Sequence, residues 1–407
     1  MQILLLTPAL PYPPHQGGAL RNFGILRGLH DAGHTITLLS FHDGGGNGQS
    51  DIPAAARRLR PRRNGRAAGA HADESPARPA AQRAARPGAA AGIAGLPRAP
   101  ARPAAGTRFD LIQFEGLEMA IYLPLIRQLQ PDAKLIYDAH NAEYALQQVI
   151  ADVEGGSLSR LPAAVYSWIQ ARRIASFERG ICAQADAVIA VSPEDAEALK
   201  PFRTDHQIHV LANGIFTDDY AAPTQAVELG GAVLVFTGKM DYRPNVDAMQ
   251  WFSGDILPLI RAQCPDARLY IVGQKPHTSL HTLREDDHVE VTGWVAQVQP
   301  FLHAAQVYVA PLRMGSGTRL KILEAMAAGC AVVATTAAVA GLEREAREAL
   351  VVADSETAFA DGVIRLLNDA KQRRTLGEQA QRVVRKYYDW SALIPCLIDI
   401  YRDVGLG

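Results

Sequence analysis

Short apolar runs with little polar alternation recur along the chain, separated by longer stretches whose apolar positions repeat every three or four residues. Runs of the first kind mark parallel strands covered on both faces, and the longer stretches read as amphipathic helices. The pattern predicts strands at 2–6, 35–40, 111–114, 134–139, 187–191 and 208–211, then at 232–237, 267–272, 289–291, 307–310, 331–335 and 350–352. Helices are predicted at 19–32, 163–185, 246–263, 320–328 and 357–367. The β/α alternation thus occurs twice, which suits a length of 407 residues, too great for one compact core. Two Rossmann-like, doubly wound parallel-sheet domains are expected, facing each other across a cleft made by the carboxyl ends of their strands. The turn Leu211-Ala212-Asn213-Gly214 and the polar run 218–231 place the boundary, giving domains at 1–212 and 213–387 and a last helical segment at 388–407.

One stretch breaks the pattern. Of the 54 residues 53–106, 45 are Ala, Arg, Pro or Gly, with no aromatic residue and no Val. Such a composition buries too little apolar area to offset its ordering entropy, so the low-complexity insert, taken as 44–106, is expected to be disordered. It reads as a flexible linker, a basic arm for anionic lipid, or GC-rich coding DNA translated out of frame. The abrupt return of α/β patterning at Phe109-Asp110-Leu111-Ile112 favours the third.

Charge follows the same division. The formal net charge of −1 sums +9 in residues 53–106 and −10 elsewhere, and an acidic body disfavours nucleic acid as a partner. Four dispersed cysteines without a CxxC pair point to neither a zinc site nor a disulfide framework. No apolar stretch reaches the roughly 20 residues of a membrane helix. The opening Met1-Gln2-Ile3-Leu4-Leu5-Leu6 reads as a strand rather than a secretory signal. A cytoplasmic protein is expected.

Chemistry is concentrated where predicted strands end. After the first strand, a Pro-rich loop reaches Gly17-Gly18 at a helix start, where bare backbone suits close approach of an anion. The strand 134–139 delivers His140 and Asn141, with Glu143 just beyond, and Glu115-Gly116 ends a neighbouring strand. In the second half, Gly238-Lys239 and Arg243 form a strand-to-helix turn, with Asn245 as candidate N-cap. The most informative segment is Gly315-Ser316-Gly317-Thr318-Arg319-Leu320-Lys321-Ile322-Leu323-Glu324. Its glycines expose N–H groups ahead of a helix on which Lys321 and Glu324 share a face. A cation for a diphosphate and a carboxylate for vicinal ribose hydroxyls make a nucleotide-sugar clamp. A surface salt bridge would explain the Lys321/Glu324 pair alone, but not the glycine loop before it.

These segments, above all 317–329, resemble family 4-type retaining glycosyltransferases of the GT-B fold, and among them the sugar transferases of bacterial exopolysaccharide clusters. The resemblance implies transfer of a sugar from a nucleotide-diphosphate donor to a glycan or lipid-linked acceptor, with no metal and no cofactor beyond the donor. It implies catalytic roles for His140, Lys321 and Arg319. Donor contacts would come from Gly17, Gly18, Gly238, Lys239, Arg243, Gly315, Ser316, Gly317, Thr318 and Glu324, and the acceptor side from Glu115, Asn141 and Glu143. It also implies that the last helix, carrying Trp390, Leu393, Leu397, Ile400 and Tyr401 on one face, returns to the first domain. Ser316 stands where the family usually has a second Glu, eight residues before Glu324, and Arg243 departs from the usual spacing of the second-domain cation. A nucleotide-sugar epimerase and an inactive nucleotide or glycan binder are the competing readings. The helix at 161–185 sets Arg172, Arg173 and Arg179 beside Trp168, Ile169 and Phe177. That face could graze the inner membrane surface, although a core helix with a solvated basic edge is the stronger reading.

Overall fold

A computed structural model describes residues 1–12, 14, 17–41, 107–145, 147–148, 161–205, 207–222, 226–280, 282–314 and 320–406. The insert 44–106 and the loop residues Gly315, Ser316, Gly317, Thr318 and Arg319 lie outside the described residues. Two compact units emerge: Met1–Leu211 with Cys396–Gly407, and Ala212–Pro395.

The first unit is built on six parallel strands, β1 (Gln2–Thr7), β2 (Thr35–Ser40), β3 (Leu111–Glu115), β4 (Lys134–Ala139), β5 (Ala187–Ala190) and β6 (His209–Val210), ordered β2-β1-β3-β4-β5-β6. The second repeats the plan with β7 (Ala232–Thr237), β8 (Ala267–Val272), β9 (Val289–Gly293), β10 (Val307–Ala310), β11 (Val332–Ala334) and β12 (Val351–Val352), ordered β12-β11-β10-β7-β8-β9. All twelve predicted strands are present. Their apolar runs have the reason anticipated: β3, β5, β7 and β10 are buried along their whole length, because helices cover both faces. Strand order reverses between β1 and β3 in one sheet and between β7 and β10 in the other. Doubly wound sheets open a crevice at such reversals, beyond the strands' carboxyl ends.

Helices α1 (Gly17–Asp31) and α2 (Leu161–Gln184) belong to the first unit. In the second, α3 (Arg243–Trp251) continues through a π-turn at Phe252–Ile256 into α4 (Leu257–Arg261). Pro258, at the start of α4, has no N–H to give the preceding turn, which accounts for the bulge within the predicted 246–263 helix. Then follow α5 (Leu320–Ala327), α6 (Glu356–Asn368), α7 (Ala370–Tyr387) and α8 (Trp390–Asp403). Sequence periodicity predicts no helix at α7, which buries only Gly377, Ala380 and Val384. Its packing relies on close backbone approach: a Cβ at Gly377 would stand 2.1 Å from the Gly329 carbonyl oxygen. Glycine contacts leave no hydrophobic trace in a sequence.

Within the first unit α1 turns a charge inward. Arg21 is buried, and its guanidinium donates to both oxygens of Asp138 on β4, Nε at 2.9 Å and Nη2 at 2.7 Å. Nη1 donates to the Leu211 carbonyl at 3.0 Å. The forked geometry satisfies both charges, which neither could survive alone in a dry interior. Removing one partner leaves an uncompensated buried ion. Arg21→Leu is therefore expected to lower unfolding free energy by about 3–5 kcal/mol in denaturant titrations, with Arg21→Leu/Asp138→Leu recovering part of the loss. A single variant with an unchanged midpoint would contradict the pairing.

Candidate functional site

In the first unit the chemistry gathers beyond β3 and β4. Glu115, the last residue of β3, is wholly buried. Its Oε1 accepts from Gln113 Nε2 at 2.7 Å, and its Oε2 lies 3.1 Å from His140 Nε2. The Tyr401 hydroxyl from α8 donates to Gln113 in turn. Asn22 of α1, with its amide oriented to satisfy its neighbours, places nitrogen 2.8 Å from Glu115 Oε2 and 3.2 Å from the Gly18 carbonyl. The Nδ1–Cε1 edge of His140 faces Gly18, where an added Cβ would stand 3.6 Å from Nδ1. Lacking a side chain, Gly18 keeps that edge open. About a fifth of the His140 side chain, 21%, reaches solvent.

The electrostatics bind the two titratable groups together. Burial, reinforced by the Asp138 charge, pushes the Glu115 carboxyl up to about 7, against the pull of His140. Burial would depress His140, but the hydrogen bond and charge of Glu115 outweigh it and the imidazole pKa rises. Each group thus shifts the other, burial raising the carboxyl and the carboxylate raising the imidazole. Glu115 is expected from the sequence on the acceptor side; the structure buries it completely and sets its Oε2 against His140 Nε2. Asn141 donates to Glu143 Oε1 at 3.2 Å, and the backbone N–H groups of Glu143 and Tyr144 are held by the buried carboxylate of Glu178. Asparagine and glutamate thus form a neighbouring pair rather than joining the His140 contact. Donor atoms of Glu115, Asp138 and His140 lie within 4.8 Å of one another, a spacing a cation could use. Arg21 already serves Asp138, and Gln113 and His140 serve Glu115, so protein donors satisfy the set.

The second unit places its site at the reversal between β7 and β10. Gly238 follows β7 with φ 155°, and Gly273 follows β8 with φ 156°. The two backbones touch: a Cβ at Gly273 would fall 1.7 Å from the Gly238 carbonyl oxygen. A Cβ at Gly238 would fall 2.8 Å from Lys321 Nζ, so glycine is what allows the ammonium to approach the main chain. Lys321, in the first turn of α5, donates to Asn245 Oδ1 at 2.6 Å and lies 4.4 Å above the Phe236 ring. Asn245 is not the helix cap expected from the sequence, since α3 begins at Arg243 with Tyr242 as its N-cap. Its amide bridges the Lys239 carbonyl, at 2.9 Å, and Lys321. Half-buried Lys239 pairs with exposed Asp241 at 3.4 Å, and Arg243 is exposed at the opening of α3.

One turn beyond Lys321, Glu324 accepts from the Tyr220 hydroxyl at 2.9 Å. Burial raises the Glu324 carboxyl pKa, with the Tyr220 bond and the Lys321 charge opposing. A cation and a carboxylate thus stand on one helical face, each held by its own neutral partner. Sequence patterning names neither Tyr220 nor Arg21 nor Asn22 as functional. Gly18, Glu115 and His140, each named from the end of a predicted strand, are the signals that reach the first cluster.

Two family models match: "Glycosyltransferase Family 4" over residues 17–219 and "Glycosyl transferases group 1" over residues 231–369. A phosphatidyl-myo-inositol mannosyltransferase of Mycobacterium leprae is 30% identical over 208 residues, 48% of this chain and 53% of that protein. The chain thus spans about half the length of the mannosyltransferases it matches. Among solved structures, a sucrose-phosphate synthase from Thermosynechococcus elongatus superposes with a TM-score of 0.68 at 17% identity, covering 99% of each chain. Anabaena HepE, solved in complex with UDP and glucose, superposes with a TM-score of 0.59 at 15% identity, covering 99% of this chain and 100% of that one. These structures share the fold, two Rossmann-like units of the GT-B class. With a family model on each unit, the chain belongs to the family 4-type glycosyltransferases.

Proposed function

We propose that this protein is a metal-independent, retaining glycosyltransferase. It moves a sugar from a nucleotide-diphosphate donor to a glycan or lipid-linked acceptor in cell-surface polysaccharide synthesis. The observation that carries this reading is the Lys321 ammonium, held against the bare backbone of Gly238 by Asn245 and Phe236, with Glu324 one turn along α5. A fixed cation beside a helix amino end suits a diphosphate leaving group, and the carboxylate suits vicinal ribose hydroxyls. The name of the mycobacterial relatives and the UDP and glucose bound to HepE support the same donor chemistry.

In this reading the acceptor hydroxyl oxygen bonds to the anomeric carbon on the face from which the C–O bond to the diphosphate breaks, and the hydroxyl proton passes to the departing diphosphate oxygen. Lys321 and, by family resemblance, Arg319 offset the charge developing on the leaving group. His140 contacts the transferred sugar through the edge left open by Gly18, its orientation fixed by Glu115. Gly17, Lys239, Arg243 and the loop 315–318 complete the donor set, and Asn141 and Glu143 serve the acceptor. The protein works in the cytoplasm. Trp168, Ile169 and Phe177 stand exposed on α2 with Arg172 stacked 4.3 Å from the Trp168 ring, a face suited to peripheral contact with anionic lipid. Among the described residues, no helix is long and apolar enough to cross a membrane.

A thermal-shift screen of UDP-, GDP- and ADP-sugars tests the reading directly. One donor class should raise the midpoint, since a ligand at a hundred times its Kd stabilises by about 2.7 kcal/mol. Sugar transfer should then persist in EDTA and preserve the anomeric configuration of the donor. No shift with any nucleotide sugar would refute donor binding, and an epimerised donor without acceptor would indicate an epimerase.

Two variants separate the roles. Glu324→Ala should weaken nucleotide binding about tenfold or more, because each lost hydrogen bond to a charged group is worth about 1.5–3 kcal/mol. His140→Ala should lower kcat by about 10²-fold or more with a smaller change in donor affinity; equal losses in both would make it a binding residue only.

A further inference from the structure

Tyr220 stands outside every motif of the sequence, yet it is the partner of the carboxylate on which donor recognition rests. It ends the short 3₁₀ turn Thr217–Tyr220, is 7% exposed, and directs its hydroxyl to Glu324 Oε1 at 2.9 Å. A turn of this kind has no ladder of its own to hold it. Here three separate ties do so. Asp389 accepts from the backbone N–H and the hydroxyl of Thr217, the former at 2.9 Å. Ile215 exchanges backbone hydrogen bonds with Tyr388 and Trp390 at 2.9 and 3.1 Å. His303 Nε2, on the helix Gln299–Ala304, bonds the Tyr220 carbonyl at 2.9 Å. A tyrosine serving only as core filling would not need its hydroxyl placed on an acid.

We propose that Tyr220 is the positioning residue of the nucleotide site: it occupies one oxygen of Glu324 and orients the other toward the ribose hydroxyls, so that it sets selection of ribonucleotides over deoxyribonucleotides. The proposal deepens the donor-binding reading and depends on it. One carboxylate oxygen already committed leaves the second as the acceptor for the diol, in a direction fixed by the tied turn. Loss of the phenol oxygen frees the carboxylate to rotate and removes a donor that favours its ionised form.

The titratable groups facing Glu324 are Tyr220, Lys321 on its own helix and Tyr308 of β10, with Asp219 beside Tyr220. Burial raises the Glu324 carboxyl and the Tyr220 bond opposes that rise. The ionised form accepts the hydroxyls, so binding is present above the Glu324 pKa and fades as pH falls through it. Without the phenol hydroxyl the fade must begin at a higher pH.

The experiment measures, by calorimetry from pH 5 to 8, the affinities of UDP, GDP and ADP and of their 2′-deoxy counterparts for the full chain and for Tyr220→Phe. The wild type should prefer the ribonucleotide of its donor class. Tyr220→Phe should bind that nucleotide about tenfold more weakly, bring the ribo-to-deoxy ratio toward one, and lose binding at a higher pH. A folded variant with the wild-type ratio and pH midpoint overturns the proposal and leaves the donor reading intact. A wild type that binds none of the nucleotides overturns the donor reading and this proposal with it. His303→Ala, which keeps Tyr220 but unties its carbonyl, should lower the same ratio by a smaller factor. An unaltered ratio there counts against the proposal even if Tyr220→Phe does not fold.

Discussion

Exclusion of water from both faces of a parallel sheet is the constraint from which the rest of this structure follows. Strands such as β7 and β10 tolerate no unpaired polar atom along their buried length, so polar side chains collect where the strands stop. Any charge admitted there must bring its partner. Arg21 with Asp138 and Glu115 with His140 are two such admissions in one unit; Lys321 with Asn245 and Glu324 with Tyr220 are two in the other. Each functional candidate is therefore also a solution to a desolvation problem, and its orientation is settled before any ligand arrives.

The two units solve that problem differently. The first compensates charge with charge: a guanidinium forks onto one carboxylate, and a second carboxylate lies against an imidazole, each of this latter pair shifting the other. The second adds neutral partners, an amide for the ammonium and a phenol for the carboxylate, to a lysine and a glutamate whose charges favour each other along one helix. The first arrangement suits holding and shifting a proton. The second suits gripping a ligand that carries charge of its own.

Strands were readable because double-sided burial writes itself into composition, and helix positions came within a few residues for the same reason. What stayed hidden were contacts whose partners are remote in the chain. Arg21 meets Asp138 across 117 residues and Tyr220 meets Glu324 across 104, and no local pattern encodes either meeting. An arginine on an apolar helix reads as an exposed edge, and a tyrosine in an acidic turn reads as loop. Asn245 suggested a cap by its type and place after a turn, but its amide serves Lys321, and the helix starts three residues earlier, capped at Tyr242. The carboxylate and the lysine of α5 were legible because their spacing along one helix is local. The fold of α7 was not, since its contact is backbone against backbone.

The course of α8 bears on how the chain is assembled at the ribosome. Its first turns belong to the second unit and its residues from Cys396 onward to the first, with Pro395 lying within the helix at the changeover. Tyr401, whose hydroxyl closes the chain of bonds through Gln113 to Glu115, is thus translated 288 residues after the glutamine it meets. The residues up to Leu211, though synthesised before the second unit, stay without a piece of their own interior until the chain beyond Cys396 has been made. The second unit is contiguous in sequence and can close first, so the order of folding need not follow the order of synthesis.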